Sequence, residues 1–183
     1  KKGLCIVTLG VWIVALWPTH LWAARMRGNC FVFAYETVLS ILQGERSTET
    51  ALDKTHGSRD RERAFNIAGD SCRQESNGAC LQYAYNRLLS FIDTPSQEDR
   101  LTAWGNAVNA CRYKVNAGCL EYAELFWRNT ARERDEFRAF NNAVTSCNDE
   151  VLGDCLSYVY LREFERGRSS MAAFNSGVTV CRG

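Results

Sequence analysis

Residues 103–123 read AWGNAVNACRYKVNAGCLEYA. Ala103, Ala107 and Cys111 are spaced by four and therefore lie on one face of a helix. Cys119 follows after seven residues that include Gly118, and Leu120, Tyr122 and Ala123 open a second apolar-periodic run. The stretch reads as the end of one helix, a short turn and the start of the next, with a cysteine on each side.

The same pattern recurs along the chain, which marks a repeat architecture. Ala64-Phe65-Asn66-Ile67-Ala68 runs to Cys72, Ala139-Phe140-Asn141-Asn142-Ala143 to Cys147, and Ala173-Phe174-Asn175-Ser176-Gly177 to Cys181. In every copy an aromatic follows the Ala and a small residue stands four positions on, so a neighbouring helix can approach that face closely. The other half of the unit begins at Cys30, Cys80, Cys119 and Cys155. Counting from these cysteines, position +1 is Phe31, Leu81, Leu120 or Leu156. Position +3 is Phe33, Tyr83, Tyr122 or Tyr158, and position +4 is Ala34, Ala84, Ala123 or Val159. Position +8 extends the apolar stripe as Val38, Leu88 and Trp127 and breaks it at Glu163. Gly28, Gly78, Gly118 and Gly153 precede the cysteines and suit the turn between units.

The fold expected is all-α: an α/α solenoid of four disulfide-stapled hairpins, each helix A, turn, helix B. The units cover about residues 28–72, 78–111, 118–147 and 153–181 within a repeat domain over 25–183. Ser96 with Asp99 has the form of a capping box, and Ser58 and Ser169 suit the same role. The longest A–B connection runs from Gln43 to about Arg59 and is polar, which suggests a mobile loop.

Residues 1–24 have a different character. Lys1-Lys2 precede an apolar run from Gly3 to Trp17, and the segment closes on Ala23-Ala24. That is the layout of a secretory signal, with cleavage near Ala23 or Ala24. Retained as a membrane anchor, residues 3–24 reach the length of about 20 residues that a span needs. Either reading puts the body outside the cytosol, in the periplasm, secreted, or held at a membrane, where disulfides persist.

The eight cysteines of the body allow two pairings. One joins the ends of each hairpin: Cys30–Cys72, Cys80–Cys111, Cys119–Cys147 and Cys155–Cys181. The other crosses the constant seven-residue turns as Cys72–Cys80, Cys111–Cys119 and Cys147–Cys155. Parity favours the first, because the second leaves Cys30 and Cys181 unpaired at opposite ends of an array. No close-set Cys-x2-Cys pair suggests zinc, and neither a metal nor another cofactor is expected.

Composition narrows the function classes. The net charge is +1. Without the first 24 residues, 20 bases face 21 acids, so no basic field is left to hold a phosphate backbone. Nucleic acid is not an expected partner. His20 and His56 are the only histidines; the first lies in the export segment and the second in the polar loop, so a Ser-His-Asp site has no base. No Ser has a Lys three residues on, which removes the Ser-x-x-Lys device of β-lactam-directed enzymes. Asp135-Glu136 precedes a helix, where acids suit the positive end, and Asp149-Glu150 lies in a turn. No catalytic residue is assigned, and the chain is read as a non-enzyme.

A binding surface fits better. Helix A lines the concave side of such arrays, and its positions off the core stripe include Gln82, Asn86, Glu121, Leu125, Ser157, Leu161 and Phe164. Tyr83, Tyr122, Tyr158 and Trp127 join them as candidate anchors, as do Tyr35, Tyr85 and Tyr160 at +5, because Tyr and Trp anchor interfaces. Glu124 stands out by taking the +5 place; it faces a groove or pairs with a nearby Arg.

The arrangement Asn109-Ala110-Cys111 to Gly118-Cys119-Leu120 resembles the tetratricopeptide-like solenoids, most of all the Sel-like branch with its cysteine-rich bacterial members. The resemblance covers about residues 28–183. It lacks the Gly-x-Gly turn of that branch, having Asp93-Thr94-Pro95-Ser96 and Arg132-Glu133-Arg134-Asp135 instead. The resemblance implies a right-handed superhelix that binds proteins or peptides, disulfides in the Cys-x7-Cys scheme and, for some members, β-lactam binding. The expected function is that of an exported scaffold, adaptor or assembly factor with a protein or peptide partner. Alternatives are a structural subunit of a membrane complex anchored by residues 3–24, and a β-lactam-binding or weakly hydrolytic enzyme.

Overall fold

A computed structural model describes residues 17–44, 54–73, 77–130 and 135–183. Among them run eight helices: α1 (Trp17–Gln43), α2 (Lys54–Arg73), α3 (Gly78–Leu89), α4 (Gln97–Ala110), α5 (Ala117–Asn129), α6 (Glu136–Ser146), α7 (Gly153–Glu165) and α8 (Ser170–Val180). They pack as consecutive pairs, α1 with α2 through α7 with α8, and each odd-numbered helix also packs on the next odd-numbered one. The odd helices are the expected A helices and the even ones the B helices. Residues 1–16 of the export segment lie outside the described residues, and 17–24 are described only as helical backbone. No helix among the described residues is long and apolar enough to cross a membrane.

Local sequence explains the helix ends. Asn77, Ser96, Asn116, Asp135 and Ser169 are N-caps whose side chains accept from backbone amides of the first turn, and Ser96 with Asp99 forms the reciprocal box. Ser58 is not a cap. It lies inside α2, which starts at Lys54. The polar stretch read as a loop up to about Arg59 therefore ends earlier, because polar residues serve equally well in the solvated first turns of a helix; residues 45–53 lie outside the described residues.

The cysteines close the hairpins at equivalent points. Disulfides join Cys30–Cys72, Cys80–Cys111, Cys119–Cys147 and Cys155–Cys181. In the last three hairpins the helix-A cysteine is the third helical residue, and its partner is the C-cap of helix B. Antiparallel packing brings these two points to Cα separations of 5.7–5.9 Å, the ordinary disulfide range. The bonds across the seven-residue turns, which the family resemblance implied, are not formed. Four intramolecular disulfides belong to a chain of an oxidising, extracytoplasmic environment.

The small residues of helix B face helix A as expected. Ala64, Ala68, Ala107, Ala139, Ala143 and Ala173 are fully buried, as are Leu81, Leu120 and Leu156 on the A side. Fully burying one such Leu contributes about 1.5–3 kcal/mol. A Cβ on Gly177 would come within 2.8 Å of the Leu156 side chain and 3.2 Å of its carbonyl oxygen, so a larger residue there would make Leu156 shift. The glycines before the A cysteines are not in the turns. Gly78, Gly118 and Gly153 occupy the first helical turn, and Gly28 lies inside α1. At Gly153 the reason is contact: a Cβ there would stand 2.4 Å from the carbonyl carbon of Gly118, because the N-termini of α5 and α7 touch.

The turns between hairpins also stack. The Asp149 amide donates to the Tyr113 carbonyl (3.1 Å), and the Gly183 amide donates to that of Asp149 (3.2 Å). Lys114 meets Glu150 at 3.2 Å beside them. The acidic pair Asp149-Glu150 is thus part of a surface ladder.

Candidate binding surface

Position along helix A decides which way each side chain points. Position +3 faces the following hairpin in the first three units, and position +7 does so in the second and third. Phe33 meets Trp104 of α4 with ring centroids 6.1 Å apart. The Tyr83 hydroxyl donates to Glu124 Oε2 (3.0 Å), and Arg87 Nε donates to Glu124 Oε1. Tyr122 and Phe126 meet Tyr160 edge-on at 6.3 and 5.7 Å, and Phe126 stacks on Phe174 at 3.9 Å. Position +5 of the next helix A receives these groups in two of the three joints, as Glu124 and Tyr160.

The joints differ in chemistry. Between the second and third hairpins, Glu124 is only 2% exposed and carries two donors. Arg87 continues through its Nη2 to Glu136 Oε2 (2.8 Å), Arg128 meets Glu136 from the other side at 2.9 Å, and the Arg87 guanidinium lies over the Phe91 ring. A buried carboxylate needs such partners. Burial, then the Glu124 charge, push the Tyr83 phenol well above its ordinary range. The hydrogen bond from Arg87 holds the Glu136 carboxyl below its ordinary value. The third and fourth hairpins meet instead through an aromatic cluster.

The residues expected to anchor a partner divide accordingly. Tyr83 and Tyr122 are half-buried in the joints. Trp127 is half-buried against Phe126 and Phe174, with its indole N–H on Ser146 Oγ (3.4 Å). Of the +5 tyrosines, Tyr85 is buried against Trp104, and Tyr160 is half-buried in the aromatic cluster. These side chains hold hairpins together.

The solvent-facing side of helix A is made by positions +2, +6 and +9. Gln82, Asn86 and Glu121 are exposed, and Ser157 is partly so. Leu125, Leu161 and Phe164 are 49%, 54% and 48% exposed, and Tyr158 at +3 is 59% exposed. Gln82, Glu121, Tyr158 and Phe164 are thus all exposed, and the exposed side chains of the A helices are polar on α3 and increasingly apolar on α5 and α7. A groove of about 800 Å³ lies farther upstream, between α1 and the second hairpin, with Glu36, Tyr85 and Arg100 among its walls. Among the described residues no group of three or more His, Cys, Asp or Glu side chains is placed to hold a metal ion. His56 lies in α2, and nothing assigns it a role.

Neither the models of known protein families nor characterised proteins nor solved structures match this chain.

Proposed function

We propose that the chain is an exported protein–protein interaction module of tetratricopeptide-like type, an adaptor or assembly factor that takes a protein or peptide on the outer side of its A helices. The supporting observation is the run of large apolar side chains at Leu125, Tyr158, Leu161 and Phe164, all about half exposed on adjacent parallel helices. Isolated exposed apolar residues are normal, whereas a contiguous set marks a surface with a partner. The stapled frame favours this role: a disulfide ties each of the two helices that carry the set to its partner helix, so binding orders little that was free.

The test is cross-linking from the surface itself. A photoreactive residue at Leu125 or Leu161, in the full chain expressed in its own cell envelope, should capture one recurring partner. Leu161→Glu should abolish capture from position 125, and Leu125→Glu capture from position 161, while helicity and the four disulfides stay intact. Capture that survives both charges would overturn the assignment of this face.

A further inference from the structure

The three joints between hairpins are filled differently. In the second, the +7 side chain is Arg87, which reaches Glu124 and Glu136 of the next hairpin. In the third it is Phe126, which stacks on Phe174 and meets Tyr160. In the first it is Thr37, a short side chain, and the space is a groove: Thr37 stands on the wall of the cavity of about 800 Å³ between α1 and the second hairpin. That volume falls in the range of ligand sites, about 300–1,000 Å³. Glu36 and Asn86, the +6 residues of α1 and α3, are exposed and also stand on its walls, so the groove opens on the outer side of the A helices.

The wall that faces Thr37 carries donors. Arg100 stands where Glu136 stands one hairpin later, each three residues before the helix-B alanine, Ala103 or Ala139. Its Nε donates to the Pro95 carbonyl (3.3 Å), it also bonds the Tyr85 hydroxyl, and among the described residues it makes no ion pair. A guanidinium only donates, so the phenol accepts from it and keeps its own proton for an acceptor. Phe33, Ile41 and Leu89 make the rest of the wall apolar.

We infer that this groove seats an acidic side chain, Glu or Asp, of the partner peptide, with its carboxylate on Arg100 and the Tyr85 hydroxyl. The inference rests on reading the outer side of the A helices as a binding surface, and it names what the partner presents there. Charge complementarity selects the acid: the guanidinium and the phenol are both donors, and a carboxylate accepts from both at once. The arrangement is the second joint with its charges exchanged, the carboxylate coming from the filling group and the guanidinium from the wall. Glu36, on the α1 side, keeps the acid at the α4 wall and suits a base beside it on the same peptide.

The probe is a phage-displayed library of random heptapeptides, selected on the full disulfide-intact protein and depleted on Thr37→Phe, which fills the groove as Phe126 fills the third joint. Depletion on Asn86→Trp, a change at the exposed mouth, gives the same selection without touching the inside of the joint. Peptides that survive depletion are expected to carry Glu or Asp. Their binding, read by fluorescence anisotropy, should weaken about fivefold or more when that acid is replaced by its amide or the protein carries Arg100→Gln. No surviving peptide, survivors without an acid, or binding indifferent to Arg100→Gln overturns the inference. So does binding that appears only after residues 45–53 are replaced by a Gly-Ser linker, since the occupant is then the chain's own connection. Cross-linking from Leu125 and Leu161 does not involve the groove, so the two readings fail separately.

Discussion

Arg87→Met isolates the energy of the ionic joint between the second and third hairpins. Met keeps the apolar stem of Arg87 and removes the guanidinium from Glu124 and Glu136. Glu124 is 2% exposed and would retain a single donor, the Tyr83 hydroxyl. Removing one partner of a buried pair costs about 3–5 kcal/mol. The low end applies, because the Arg87 side chain is 18% exposed and one hydrogen bond survives, so the expected loss is about 3 kcal/mol. Glu124→Leu alone should cost about 1 kcal/mol, since Arg87 then keeps Glu136 and reaches water. The double variant should also lie within about 1 kcal/mol of the parent, because a well-packed apolar pair replaces a buried ion pair with little net change. The cycle thus predicts a coupling of about 3 kcal/mol between sites that touch. Urea unfolding at neutral pH with the disulfides intact, followed by circular dichroism, measures all four corners. An Arg87→Met variant within 0.5 kcal/mol of the parent, or a double variant as unstable as the two singles added, would refute the account of the joint as a desolvated ion pair.

Other parts of the frame yield further expectations. Removing the third staple as Cys119→Ala with Cys147→Ala should lower stability by about 3–4 kcal/mol from the chain entropy of its 28-residue separation, and non-reducing peptide mapping of the parent should return only pairs within hairpins. Gly153→Ala should cost about 1–3 kcal/mol, because the new methyl meets the Gly118 backbone. Gly105→Ala, where a Cβ meets nothing within 4 Å, should instead gain about 0.5–1 kcal/mol; thermal melts of the pair test the sign. The raised Tyr83 phenol favours folding below the ordinary tyrosine value of 10.0, and that contribution is lost as pH rises above it. Ultraviolet titration should accordingly find the last-ionising tyrosine absent in Tyr83→Phe. The lowered Glu136 carboxyl acts in the opposite sense: it favours folding above the ordinary glutamate range and ceases to as pH falls through its folded value. Glu136→Gln should therefore flatten the acid limb of the stability curve.

The hairpin was legible because its determinants are local. Ala103, Ala107 and Cys111 reveal a face within one helix, and Ser96-x-x-Asp99 reveals where that helix starts. The pairing of cysteines was also within reach, since Cys30 and Cys181 sit in complete motifs and only pairing within hairpins uses both. The family resemblance pointed to the other scheme because it rests on the seven-residue spacing, and a spacing shared by two architectures does not say which ends meet. The glycines misled for a related reason: Gly153 is demanded by a backbone on another hairpin, which no inspection of its own turn discloses. The binding residues divided along the same line. Tyr83, Tyr122 and Trp127 look like anchors when each helix is read alone, yet they are joints once the hairpins stack. The signal that separates joint from surface was present all the same. Glu124 breaks the tyrosine column at +5, and the residues that answer it are Tyr83 and Arg87, at +3 and +7 one hairpin earlier. Where +7 is Phe126, the column returns to Tyr160. A repeat protein compared with itself thus carries a record of its own contacts.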